Sequence, residues 1–148
     1  MSVSVEQPAV VAEEEPRRES RALDITFRVA GVVITILATI FSGLLEIFLS
    51  TLRIGGVLTG VSIPLAVVTN VAIAWFAVTS TGRRWALGPP WALWTLMMLA
   101  AAGIRTTEGD YLLSGDNWIA LVMILVGSLT FAVFSYRMIL KRVSAPNQ

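Results

Sequence analysis

From Ile25 to Leu52 the chain reads ITFRVAGVVITILATIFSGLLEIFLSTL, more than enough apolar length to cross a bilayer as a helix. Three further runs follow, from Val57 to Thr79, from Trp85 or Pro89 to Ile104, and from Trp118 to Leu140. Each meets or approaches the ~20 residues that a helix needs to span ~30 Å of hydrocarbon. Composition agrees: 55% of the 148 residues are hydrophobic and only 14% are charged, with a mean hydropathy of +0.75. A soluble domain of this length needs a larger polar fraction to cover its surface.

The expected fold is therefore all-α: a polytopic integral membrane protein built as an antiparallel four-helix transmembrane bundle. Its spans are placed at about 25–52, 57–79, 85–104 and 118–140, inside a transmembrane domain of residues 23–142. Residues 1–22 pass through Glu13, Glu14 and Glu15 before any arginine, unlike a secretory signal. With little to bury, they are expected to form a disordered cytoplasmic tail, and 143–148 a second short one.

Basic residues set the orientation. Arg17, Arg18, Arg21 and Arg28 flank the start of the first span, Arg83 and Arg84 lie in the second connection, and Arg137, Lys141 and Arg142 close the chain. With four spans all nine fall on one side, and only Arg53 and Arg105 fall on the other. The positive-inside rule then predicts a multi-pass plasma-membrane protein with both termini cytoplasmic. Trp85, Trp91 and Trp94 are read as anchors at the inner interface, and Tyr111 and Trp118 as anchors at the outer one.

Prolines mark two irregularities. Pro64 predicts a kink in span two. Pro89-Pro90 suit a helix start, but the stretch from there to Ile104 covers only ~24 Å at 1.5 Å per residue. Either Trp85 to Gly88 complete that crossing in a kinked segment, or the bilayer thins locally.

The chain has no cysteine and no histidine, which removes thiolate and imidazole ligands, His-ligated haem and the Ser-His and Cys-His nucleophile pairs. No catalytic residue, cofactor or metal site is assigned, nothing points to nucleic acid, and the chain is not read as an enzyme. The chemistry that remains rests on carboxylates, arginines, hydroxyls and Asn70.

Glu46 is the pointed residue, because an acid inside an apolar span is costly unless it faces protein or water. Gly31, Thr35, Thr39, Ser42, Glu46, Ser50 and Arg53 recur at spacings of three and four, which puts them on one helical stripe. Span two offers Thr59, Ser62, Ala66, Asn70, Ala74, Ala77 and Thr81, with a GxxxG at Gly56 and Gly60, and span four offers Ser128, Ala132 and Ser135. Such small and hydroxylated faces are expected to pack helix against helix. An interhelical polar site of Glu46, Arg105, Arg53 and Asn70 follows, with Arg105 as the expected counter-charge of Glu46.

The loop RTTEGDYLLSGDNW between spans three and four gathers Glu108, Asp110 and Asp116 into an outer acidic loop without calcium-loop spacing. Glu108-Gly109-Asp110 reads as a turn, Asp116-Asn117 as the N-cap of span four, and Tyr111, Leu112 and Leu113 as a segment dipping back toward the interface. Arg105-x-x-Glu108-Gly109-Asp110-Tyr111 after a third span, with a glycine-bearing fourth span, resembles an uncharacterised family of small actinobacterial integral membrane proteins. The resemblance implies a four-helix layout and no particular activity.

The functional expectation is a non-enzymatic structural or accessory subunit of a membrane assembly. Its partners would be the lipid bilayer and either a protein partner or a second copy engaged through membrane helices. The alternative is a small proton- or cation-coupled transporter acting as an oligomer, with Glu46 as coupling carboxylate. It resembles the small multidrug resistance transporters in its four short spans, but departs from them in its long tail, its acidic loop and the position of Glu46.

Overall fold

The computed structural model describes residues 14–105, 109, 113 and 117–143. Four helices dominate it: α1 (Glu14–Ser50), α2 (Ser62–Thr81), α3 (Gly88–Gly103) and α4 (Trp118–Val143). Three of them are long and apolar enough to cross a membrane, over Arg21–Ser50, Ser62–Thr81 and Trp118–Lys141. The fourth, α3, has 16 residues and is preceded directly by a 3-10 turn, Arg84–Leu87.

Helix α1 begins well before the expected first span. Glu14–Ala22, read from the sequence as tail, form its opening turns. The backbone permits it: Pro16 lies in the first turn, where its missing N–H has no helical partner to lose. An exposed pair, Asp24 to Arg28 at 3.0 Å, lies one turn apart on the same helix. Residues 1–13 and 144–148 lie outside the described residues.

Between α1 and α2 the chain makes a short hairpin. Strands β1 (Arg53–Ile54) and β2 (Val57–Leu58) pair antiparallel, Arg53 opposite Leu58 and Ile54 opposite Val57. Gly55 and Gly56 form the two-residue turn with φ of 60° and 84°, the left-handed pair that a tight hairpin requires. The Gly56/Gly60 GxxxG is thus not a helical face. Arg53 lies exposed in β1 rather than on the α1 stripe.

Helix α2 consequently starts at Ser62, after Gly60 at φ 64°. Pro64 falls in the first turn, where proline is tolerated, so it begins the helix rather than kinking it. At the other end Gly82 takes a left-handed φ of 66° and its N–H returns to Val78 O, closing the helix.

The packing turns polar and small side chains inward. Helix α1 lies along α2 and α3, and α2 lies along α4. Gly31, Thr35, Thr39, Ser42, Glu46 and Ser50 of α1 are all buried, as are Ser62, Ala66, Asn70, Ala74, Ala77 and Thr81 of α2. A Cβ on Gly31 would stand 2.6 Å from Ser80 Cβ, which marks how closely α1 and α2 approach. The central cluster holds Ala66, Ala74, Leu87, Trp94, Met98, Met123 and Phe131.

The buried face of α4 differs from the expected one. Ile119, Ala120, Met123 and Phe131 are buried, with Gly127 between them, whereas Ala132 is exposed and Ser128 and Ser135 are half-buried along the α3 side. Large apolar side chains were needed there to fill space beside the small faces of α1 and α2. Outward, the helices carry Phe41 at 73%, Leu125 at 69% and Val68 at 66% exposure.

Candidate functional site

Glu46 has no exposed surface, and three neutral donors close around its carboxyl group. Ser42 Oγ, one turn earlier on α1, donates to Oε1 at 2.7 Å. Thr69 Oγ1 of α2 lies 2.8 Å from the same oxygen. From α3, the Trp94 indole Nε1–H donates to Oε2 at 2.8 Å. One side chain therefore joins three helices.

Each donor is placed by its helix. Ser42 and Glu46 are four apart and share a face. Thr69 stands beside Asn70 on the buried side of α2, and its hydroxyl also reaches Leu65 O at 2.9 Å in the usual i to i−4 pattern. Trp94 belongs to a buried row on α3, Pro90, Trp94, Met98 and Ala101, spaced by four, four and three. Its ring tilts against Phe131 with centroids 6.4 Å apart.

Gly127 of α4 makes room for that ring. A Cβ at this position would stand 2.6 Å from Trp94 Cζ2 and 3.1 Å from Asn70 Nδ2. Asn70, fully buried, donates from Nδ2 to Gly127 O at 3.5 Å and so links α2 to α4. Its Oδ1, like Ser62 Oγ and Thr95 Oγ1, has no hydrogen-bond partner among the described residues.

Among the described residues no ion pair joins Arg105 to Glu46. The Glu46 bonds run to Ser42, Thr69 and Trp94, and Arg105 is an exposed residue beyond the end of α3. Helix geometry explains the difference. From Trp94 to Gly103 α3 rises ~14 Å at 1.5 Å per residue, so Arg105 stands far above the carboxylate. Helix α3 meets Glu46 near its middle, at Trp94, and not at its C-terminal end. Trp94, expected at the membrane interface, is instead wholly interior.

One turn beyond Glu46, where α1 ends, a second polar junction forms. Asn117 Oδ1 accepts from Ala120 N at 3.2 Å and caps α4, while Asn117 Nδ2 donates to Ser50 O at 2.9 Å and occupies an otherwise open carbonyl of α1. Leu113 is buried nearby against Ala101 and Ala120. Glu108, Asp110, Tyr111, Leu112 and Asp116 lie outside the described residues, so the acidic loop adds no geometry to the site. Among the described residues no three His, Cys, Asp or Glu side chains gather as a metal site would require.

Comparison with known protein families, with curated proteins and with solved structures finds no match to this chain. Chemically, the site can bind helices to one another: one acidic group accepts from a serine, a threonine and an indole without a cation.

Proposed function

We propose that this chain is an antiparallel four-helix transmembrane protein of the plasma membrane, both termini cytoplasmic, that serves as a non-enzymatic structural or accessory subunit. The inside-out distribution of its side chains supports the membrane reading. Hydroxyls, Asn70 and Glu46 are buried, while phenylalanines, leucines and valines point outward on every helix. In lipid that outer surface is solvated, and in water it would aggregate.

Helix α3 and its lead-in support a fourth crossing. Sixteen α-helical residues rise ~24 Å, and the four of the 3-10 turn at about 2 Å each add ~8 Å, together about the thickness of the hydrocarbon core. Arg83 and Arg84 then stand with Arg137 and Lys141 on one side, and Arg53 and Arg105 on the other. The acidic-loop motif's likeness to the small actinobacterial membrane proteins fits the same layout.

The observation that carries the subunit reading over the transporter reading is the closure of Glu46. Both its oxygens are engaged by protein donors from three helices and none of its surface is open. A coupling carboxylate must exchange its ligand with an aqueous path, whereas an interhelical tie needs only to stay engaged.

The test uses the full chain in its native membrane. Its lack of cysteine permits single-cysteine labelling with an impermeant maleimide: Gly56→Cys should label from outside and Arg84→Cys only after permeabilisation. Mild-detergent co-purification with mass spectrometry should return a stoichiometric protein partner or a homo-oligomer. Proton-dependent flux in proteoliposomes that vanishes in a folded Glu46→Gln variant would overturn the subunit reading in favour of transport.

A further inference from the structure

Helices α2 and α4 leave a groove of about 830 Å³ between them. Val67, Val71 and Trp75 line it from α2, one residue per turn, and Thr130, Val133 and Phe134 face them from α4. At one end stand Arg137 and Lys141, one turn apart and both exposed. The floor is apolar and the mouth is doubly cationic.

Nothing within the two helices neutralises that mouth. Neither α2 nor α4 contains an aspartate or glutamate. Among the described residues no ion pair engages Arg137 or Lys141; the pair that forms, Asp24–Arg28, is on α1. Two unpaired cations over an apolar trough call for an anionic group carrying a hydrocarbon chain.

We propose that this groove is a binding site for an anionic glycerophospholipid of the cytoplasmic leaflet, its phosphate held by Arg137 and Lys141 and one acyl chain laid along Val67, Val71 and Trp75. The dimensions suit it. From Val67 to Trp75 the trough runs ~12 Å at 1.5 Å per residue, close to the ~15 Å depth of one leaflet's hydrocarbon. The cations lie at the end of the bundle where Arg83 and Arg84 also stand, the side that faces anionic lipid in this reading. This site rests on the membrane reading above and adds to it a ligand class and a position.

Native mass spectrometry of the detergent-purified full chain tests it, with phosphatidylglycerol and phosphatidylcholine of identical acyl chains as probes. Phosphatidylglycerol should be retained roughly twenty-fivefold more tightly, since each of the two cations near an anionic group contributes about fivefold. Arg137→Gln with Lys141→Gln should remove that preference, and Arg83→Gln with Arg84→Gln should keep it. Val71→Trp, at an exposed position, should fill the trough and weaken retention with both cations intact.

Equal retention of the two lipids overturns the proposal, as does phosphatidylglycerol binding that Val71→Trp leaves untouched, which would mean surface electrostatics alone. Displacement of the lipid by equimolar inorganic phosphate, or a dimer that Val71→Trp dissolves, would assign the groove to a free anion or to a second copy. A chain extracted from membranes by alkaline carbonate sinks the membrane reading. An embedded chain with no lipid preference sinks only this site.

Discussion

The Trp94 indole N–H donates to Glu46 Oε2 at 2.8 Å, and both side chains are completely buried. This bond ties the middle of α3 to α1 without any cation. Trp94→Phe keeps most of the ring and removes the donor, so its cost isolates the bond. A hydrogen bond to a buried acidic group is worth about 1–3 kcal/mol, and the variant should lower detergent-phase stability by that amount. Glu46→Gln should be milder, because its amide still offers an oxygen to Trp94 and an NH2 to the Ser42 and Thr69 hydroxyls. Glu46→Leu should be worse than either, stranding the Trp94 indole and the Ser42 hydroxyl, while Thr69 keeps Leu65 O. Denaturant or thermal unfolding followed by circular dichroism checks the order, and Trp94→Phe added to Glu46→Leu should cost little more than Glu46→Leu alone.

Gly127 is the position where α4 yields to the Trp94 ring. Gly127→Ala would place a methyl 2.6 Å from Trp94 Cζ2, and aromatic rings cannot bend away. Overpacking of this kind costs about 1–3 kcal/mol, and the displaced ring should also lose its bond to Glu46. Gly43→Ala is the contrast. Its methyl would meet the Met97 Cε at 2.9 Å, the far end of a flexible side chain, so the loss should be small. Melting temperatures of the two variants, with Trp fluorescence as the local probe, compare them directly.

Much of this architecture could be read from spacing alone, and the misreadings share one cause. The α1 stripe from Gly31 to Ser50 and the α2 stripe from Ser62 to Thr81 are buried as the 3.6-residue period predicts, since small and hydroxyl residues stand out against Val, Ile, Leu and Phe. On α3 and α4 the buried rows are themselves large and apolar (Trp94 and Met98, Met123 and Phe131) and cannot be told by composition from an outward face. Composition therefore places Trp94 at the interface, and charge logic, which ignores neutral donors, gives Glu46 the partner Arg105. The hairpin was hidden too, because Gly56 and Gly60 satisfy a helical motif and a turn equally well. Only the backbone, with positive φ at both, distinguishes them.

Asn117 performs two jobs with its two amide atoms, and substitutions can separate them. Its Oδ1 caps α4 at Ala120 N, and its Nδ2 occupies Ser50 O at the end of α1. Asn117→Asp keeps the capping oxygen and loses the donor, so it should leave the start of α4 intact while loosening the α1 terminus. Asn117→Ala loses both and should cost about 1–2 kcal/mol for the cap alone, with a further loss from the open Ser50 carbonyl. Hydrogen exchange at Ala120 and around Ser50 separates the two effects. Protection at Ala120 should fall in Asn117→Ala and persist in Asn117→Asp.

The hairpin between α1 and α2 depends on left-handed backbone at two successive positions, Gly55 at φ 60° and Gly56 at φ 84°. No atom lies within 4 Å of a Cβ built on either, so any cost of substitution is conformational and not steric crowding by neighbours. Asn tolerates this region because its short side chain bonds locally, and Asn-Gly is the favoured pair for such turns. Gly55→Asn should therefore be close to neutral. Gly56→Val forces a β-branched residue into the left-handed region and should cost about 1–2 kcal/mol or more, with fraying of the Arg53–Leu58 and Ile54–Val57 pairs. The same hairpin fixes where α2 may start, so loosening it should also expose Ser62 and the first turn at Pro64. Equal stability of the two variants, measured in the same detergent, would mean that helix packing holds this connection and the turn does not.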